Sequence, residues 1–206
     1  TEGRIELSLV HDGETAEPAS SVLGTRREVL RIAARAVARD RGMNVDPMDA
    51  AIMRVAHALD GQSAEPPFVT LAERSFESGR GFAAVLGQVA GRHSLCVKGA
   101  PEQLFARATE AWIGSEQRPM SAVKSKLEAE IRRHAERGLR VVAVAERVLS
   151  DEEVATSEAV TEITSDPQRL CVRGFIAFRD PVRPSSEASV LGLARAGVRV
   201  IMILSL

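Results

Sequence analysis

FESGRGFAAVLGQVAGRHSLCVKGAPE, Phe76 to Glu102, is the stretch around which the rest of the chain is ordered. Ser94-Leu95-Cys96-Val97 is short, largely apolar and β-prone, so it predicts a strand. Lys98-Gly99-Ala100 is expected to break that strand. Pro101-Glu102 then opens a helix, with proline suited to the first turn and the acid facing the positive end of the helix dipole. A lysine at a strand end beside a glycine can approach a flat ligand or a phosphate without side-chain obstruction. A lone Lys-Gly is more commonly a solvated corner, so the signal is the whole string KGAPE with Phe76 upstream of it.

Working outward, 206 residues allow one large domain, or a domain plus a fragment, with a sizeable core. Apolar residues make up 45% of the chain and charged ones 27%, which places it among globular rather than disordered sequences. Basic and acidic residues balance, 27 against 28. That excludes a broad electrostatic footprint and argues against a nucleic-acid partner. Cys96 and Cys171 form no C-x-x-C pair and sit in apolar runs, so buried free thiols are expected. There is no apolar run of membrane-spanning length. His11, His57, His93 and His134 lack metal-ligand spacing, and no metal site is expected.

From the start, Ile5, Leu7 and Leu9 alternate as in a strand, and a Gly- and Pro-containing turn comes next. Thr25 to Asp40 has helical periodicity, with Thr25 as N-cap and Glu28 completing a capping box. A second helix runs from Pro47 to Leu59. Phe68 to Ala72 begins a strand region. After Glu102 a helix is expected to about Trp112, then a hairpin-like patch around Gly114 and Pro119. A helix over Val123–Arg137 ends at Gly138. Strands are expected over Leu139–Leu149 and Leu170–Phe178, with moderate helicity between them over Asp151–Glu162. Ser185–Ala196 reads as a helix and Val198–Ile203 as a buried strand.

Two organisations are mixed here. The middle, with several strands joined by short turns, suits an antiparallel α+β domain. From Phe175 onward the order strand, turn, helix, apolar strand suits a parallel α/β sheet. The division expected is 1–10 and 175–206 as remnants of a parallel α/β domain, with 11–174 inserted as the main domain. The last strand has no covering helix, so the chain is expected to be a piece of a longer one.

FESGR (Phe76 to Arg80), KGAPE, GLRVVAVA (Gly138 to Ala145), GFIAFRDPVRP (Gly174 to Pro184) and AGVRVIMI (Ala196 to Ile203) occur in the order seen in P-type ATPases. DPMDAAI, Asp46 to Ile52, fits that family's acidic-proline helix start. Thr1-Glu2-Gly3 looks like the continuation of the Asp-Lys-Thr-Gly-Thr-Leu-Thr signature. Together these resemble the nucleotide-binding domain of a cation-transporting pump. The resemblance implies an antiparallel sheet flanked by helices, with terminal remnants of a haloacid dehalogenase-like phosphorylation domain. It also implies a cytoplasmic domain of an integral membrane protein. The phosphorylated aspartate is not in this chain, so the isolated piece is expected to bind ATP without turning it over. Mg²⁺ is held mainly by the phosphorylation domain, and the partners are the phosphorylation, actuator and transmembrane domains of the same pump. No His-Pro dipeptide of the heavy-metal branch occurs. The transported ion is not written here, because selectivity lies in the membrane helices. The rival reading is a nucleotide-sensing or protein-interaction module that has lost pump activity.

The resemblance assigns roles residue by residue. Phe76 stacks on adenine, Lys98 lines the adenine pocket with Gly99 allowing close approach, and Asp49 meets the adenine amino group. Ser78 and Arg80 flank the nucleotide, and Arg140 contacts phosphate with a planar fork. Asp180 and Arg183 sit at the hinge near the phosphate and Mg²⁺. Each has a plainer reading: core aromatic, first-turn charge, exposed ion pair or turn residue. Gly81 stands where the family often has a lysine.

Overall fold

The computed structural model describes residues 5–38, 46–60, 66–181, 184–199 and 201. Nine strands form a single sheet ordered β2-β1-β9-β8-β5-β4-β3, with β6 on β9 and β7 on β6. The strands are β1 (Glu6–His11), β2 (Ala16–Pro18), β3 (Val69–Arg74), β4 (Phe82–Val89), β5 (Arg92–Gly99), β6 (Ala108–Ile113), β7 (Glu116–Pro119), β8 (Arg140–Leu149) and β9 (Leu170–Arg179). Every pairing is antiparallel except β6 with β9. The helices are α1 (Gly24–Arg35), α2 (Pro47–Asp60), α3 (Pro101–Arg107), α4 (Met120–Ala135), α5 (Ser157–Ser165) and α6 (Pro184–Arg195).

Alternation along β5 separates two cores. Leu95 and Val97 join Phe82, Leu86, Leu104, Leu127 and Leu170 beneath α3, α4 and α5. Cys96 faces the other way and joins Leu30, Ile32, Ile52, Val144 and Ile176 beneath α1 and α2. Each fully buried Leu, Ile or Phe contributes roughly 1.5–3 kcal/mol of apolar transfer energy. Burial also pushes the Cys96 thiol up to about 12, so it packs as a hydrophobe.

β9 serves three neighbours. Its Phe175–Arg179 part pairs with β1, its Leu170–Val172 part with β6, and β8 lines its opposite edge. Gly174 lies between the two part-edges at φ +149, where a side chain would run into the His11 carbonyl oxygen.

Several expectations change. The helix after Glu102 ends at Arg107, and Ala108–Ile113 is strand β6. Thr109, Trp112 and Ile113 favour extended backbone, and Ala111 is fully buried against Val172 of β9. Lys98 and Gly99 lie inside β5 rather than breaking it. Thr25 is not a cap: Leu23 holds the N-cap position and the Thr25 hydroxyl donates to Asp12 at 2.5 Å. Divisions after 10 and after 174 would each cut a strand, since β1 and β9 belong to the one sheet. Of the strand expected over Val198–Ile203, Val198, Arg199 and Ile201 are described and lie outside any strand; the rest of it, like Thr1-Glu2-Gly3 and Arg183, lies outside the described residues.

Candidate functional site

Strand register gathers the loop carrying Phe76, Ser78 and Arg80 with Lys98, Gly99, Arg140 and Asp180 at one end of the sheet. β4 and β5 pair Phe82 with Gly99 and Ala83 with Lys98, so the loop carrying Phe76, Ser78 and Arg80 arrives beside the end of β5. β8 pairs Ala143 with Gly99, which brings Arg140, the first residue of β8, to the same end. Arg140 pairs in turn with Phe178 of β9, and Asp180 comes directly after that strand. With neighbouring strands about 4.8 Å apart, the row from β4 to β9 spans roughly 14 Å.

Lys98 and Asp49 make the central contact. Lys98 points from β5 toward the α1–α2 side, on the same face as Cys96, and its Nζ lies 2.6 Å from Asp49 Oδ1. Asp49 is in the first turn of α2, where a negative charge is also favoured by the helix dipole. The two side chains are only 9% and 17% exposed. A pair this sheltered keeps an ammonium and a carboxylate ready at one point, each able to hydrogen-bond a flat heterocycle.

The other residues differ in how they are held. Phe76 is 54% exposed, an uncommon state for an aromatic ring. Ser78 is exposed as well. Arg80 is engaged locally: its guanidinium donates to the Ser75 carbonyl, lies 5.4 Å from the Phe82 ring centroid and sits 3.5 Å from Glu77. It thereby fastens the loop that presents Phe76. Gly81 adopts φ +76, and a side chain there would meet Gln103, so glycine suits this position. Gly99 is buried with the Phe82 Cβ and Gly81 carbonyl filling its side-chain space, so its need for glycine comes from strand packing. Arg140 is exposed, with no ion pair among the described residues. Asp180 is exposed.

Two features escaped the sequence reading. A cleft of about 590 Å³ lies between α1, α2 and β3, lined by Arg27, Arg31, Met53, His57 and Phe68 among others. None of the sequence-selected residues lines it. The second is a cluster of the buried His11 from β1 and His134 from α4 with the partly buried Glu130 of α4, whose ligand-type atoms lie within 4.8 Å of one another. Glu130 and His134 are four apart on one helix, a visible hint, but His11 is remote in sequence. As a metal centre it is poorly provided. The Gly13 N–H occupies His11 Nδ1 at 2.9 Å, and Arg133 donates to both Glu130 oxygens at 3.0 and 2.9 Å. Burial lowers the His11 imidazole to about 4 against the opposing pull of Glu130 and Asp12, and burial, then Arg137, lowers His134.

Among the described residues no helix is long and apolar enough to cross a membrane. Residues 30–185 match the family described as P-type ATPase, cytoplasmic domain N. The chain is 33% identical over 187 residues to a probable cation-transporting ATPase I of Mycobacterium tuberculosis, covering 85% of this chain and 11% of that protein. It is 31% identical over 135 residues to calcium-transporting ATPase 1 of Lactococcus lactis, covering 65% of this chain and 15% of the relative. The chain thus spans between about a tenth and a sixth of the length of these relatives. An antiparallel sheet with helices on both faces agrees with the matched domain. The chain belongs to the P-type ATPase family and carries its cytoplasmic domain N.

Proposed function

We propose that this chain is the ATP-binding domain of a membrane-embedded cation pump. The observation that carries the reading is the meeting of Lys98 and Asp49 at 2.6 Å beside the loop that exposes Phe76. In this reading the adenine ring stacks on Phe76, a contact worth roughly 1–3 kcal/mol by analogy with base–aromatic stacking. Asp49 accepts from the adenine amino group while Lys98 remains beside it, and Gly99 keeps the strand end close-packed. Ser78 and the loop held by Arg80 flank the sugar and phosphates. Arg140 directs the triphosphate toward Asp180, and Asp180 and Arg183 are assigned to the hinge. Residues ahead of β1, and those from Asp180 through α6, are assigned to the edge of the phosphorylation domain. There α6 leaves Val190, Leu191 and Leu193 about half exposed, at 48%, 51% and 43%.

Among the described residues Asp180 belongs to no cluster of three or more carboxylate or histidine ligand atoms, so this end offers Mg²⁺ no octahedral oxygen set. The metal is therefore assigned mainly to the phosphorylation domain, where it neutralises phosphate charge. What this chain supplies is binding and orientation of the nucleotide. The sequence contains no Asp-Lys-Thr-Gly-Thr, so the phosphoryl acceptor lies elsewhere in the pump.

Nucleotide titration monitored by amide chemical shifts tests the reading. ATP is expected to bind with a dissociation constant on the order of 0.1–1 mM, about 4–5.5 kcal/mol. ADP and AMP should bind nearly as well, because the contacts converge on adenine. Phe76→Ala should remove detectable binding and Lys98→Ala weaken it less. Wild-type affinity in Phe76→Ala, or shifts clustered in the α1–α2–β3 cleft, would overturn the site. With γ-labelled ATP and Mg²⁺ the isolated chain should remain unlabelled.

A further inference from the structure

His11 closes the corner at the end of β1. Its Nδ1 accepts the Gly13 N–H at 2.9 Å, and its ring stacks on Phe175 at 4.2 Å between centroids. Gly13 sits at φ +86 against the Trp112 carbonyl, leaving no room for a side chain. Next to it, Asp12 Oδ1 accepts the Glu14 and Thr15 N–H groups, and Oδ2 accepts from Thr25 and Arg26. The Asp12 carbonyl accepts the Gly114 N–H at 3.0 Å. Residues 11–15 thus tie β1 to the start of α1 and to the β6–β7 turn.

We propose that His11 is an acid-sensitive clasp on this corner: a proton on Nδ1 removes the acceptor of the Gly13 N–H, sets donor against donor and frees the 11–15 corner from α1 and the β6–β7 turn. Burial favours the neutral, closed form; of the groups facing the ring, His134 and Lys126 act with it and Glu130 and Asp12 against it. From α4 come Lys126, Glu130 and His134, with Arg133 bound to Glu130; from the corner comes Asp12, bound to Arg26 at 2.8 Å. Both carboxylates are already partnered by arginines, and the His134 Nδ1 is buried without a hydrogen bond. β9 contributes only the apolar Phe175.

Linkage sets the sign. Closed, the imidazole takes a proton near 4; open and solvated, it takes one near 6.5. Opening therefore binds a proton, and the open population rises as pH falls through this window, by roughly 30-fold between pH 7.5 and 5. His11 and Phe175 lie on β1 and β9, the strands that join the domain to the rest of the pump on the reading proposed above. A loosening of that joint rests on that reading; the clasp itself does not.

Hydrogen exchange read by NMR as protection factors tests it. Wild-type Gly13 is expected to lose protection by roughly 30-fold between pH 7.5 and 5. His11→Asn, whose Oδ1 can accept the same N–H without titrating, should change less than about 3-fold by the same reckoning, within the scatter of the measurement. His134→Asn should retain most of the wild-type response. Ring ¹⁵N shifts at pH 7.5 should show His11 protonated at Nε2 alone. An Nδ1–H tautomer, an unchanged Gly13 across the range, or a full response in His11→Asn would each overturn the clasp. The ¹⁵N and wild-type exchange results decide the matter even if a variant fails to fold, and ATP affinity does not enter them.

Discussion

Asp49 and Lys98 share one ion pair, with Lys98 buried and Asp49 partly buried, and that makes each more costly to lose than its polarity suggests. Removing one partner of a buried pair strands the other, typically at about 3–5 kcal/mol. Asp49→Ala is accordingly expected to lower the urea midpoint strongly, and Asp49→Leu combined with Lys98→Met to recover much of the loss. Phe76 behaves in the opposite way. At 54% exposure its truncation should leave stability within about 0.5 kcal/mol of wild type while nucleotide binding falls. Comparing the two variants in unfolding and in titration separates a structural from a ligand-facing role. The sequence showed both residues as candidates, through motif resemblance. Their mutual contact was hidden, because no periodicity links a helix start to a strand end so far along the chain.

Strand and helix boundaries were legible wherever local chemistry and burial agreed. Pro47 opening α2, Pro101 opening α3 and Gly138 closing α4 are such cases. They failed where a remote partner chose between two local options. Ala108–Ile113 could continue a helix, but the unpaired lower edge of β9 selects a strand for it. Thr25 could cap α1, but Asp12 on the preceding corner takes its hydroxyl. Two glycines make the same distinction measurable. Gly99→Ala places a methyl 2.6 Å from Phe82 Cβ and should destabilise by about 1–3 kcal/mol, by forcing β4 and β5 apart. Gly138→Ala meets open space and is strained only by its φ of +76, so a loss of about 1 kcal/mol is expected. Thermal or urea unfolding of the two variants checks the order.

Across the molecule, acid acts in two stages. His11 and His134 are neutral when folded and have depressed affinities for protons, so the unfolded chain binds more protons below about pH 6.5. Stability is full above that value and declines toward pH 4, by up to about 3 kcal/mol for His11. The second stage involves Asp12. Burial alone would raise its carboxyl, but the Thr15 amide, the Thr25 hydroxyl, the Glu14 amide and Arg26 together hold it below the usual range. Its contribution persists above the ordinary carboxylate pKa and disappears as pH falls through the depressed one. Unfolding measured at about pH 7.5, 5.5 and 3.5 should show both losses, with His11→Asn removing the His11 share of the first and leaving the second unchanged. The insertion of one domain into another was the large-scale feature the sequence suggested, from its change of strand pattern near Phe175. What was not legible there is that β1 and β9, far apart in the chain, are paired neighbours. Their register sets Glu6 opposite Arg179, so the chain enters and leaves this sheet side by side at one end. Tension applied between those two points would load the β1–β9 hydrogen bonds one after another, as in opening a zipper, instead of all together in shear. Pulled in this way, the sheet should yield at low force from the Glu6–Arg179 end, while the β5–β8 centre stays intact.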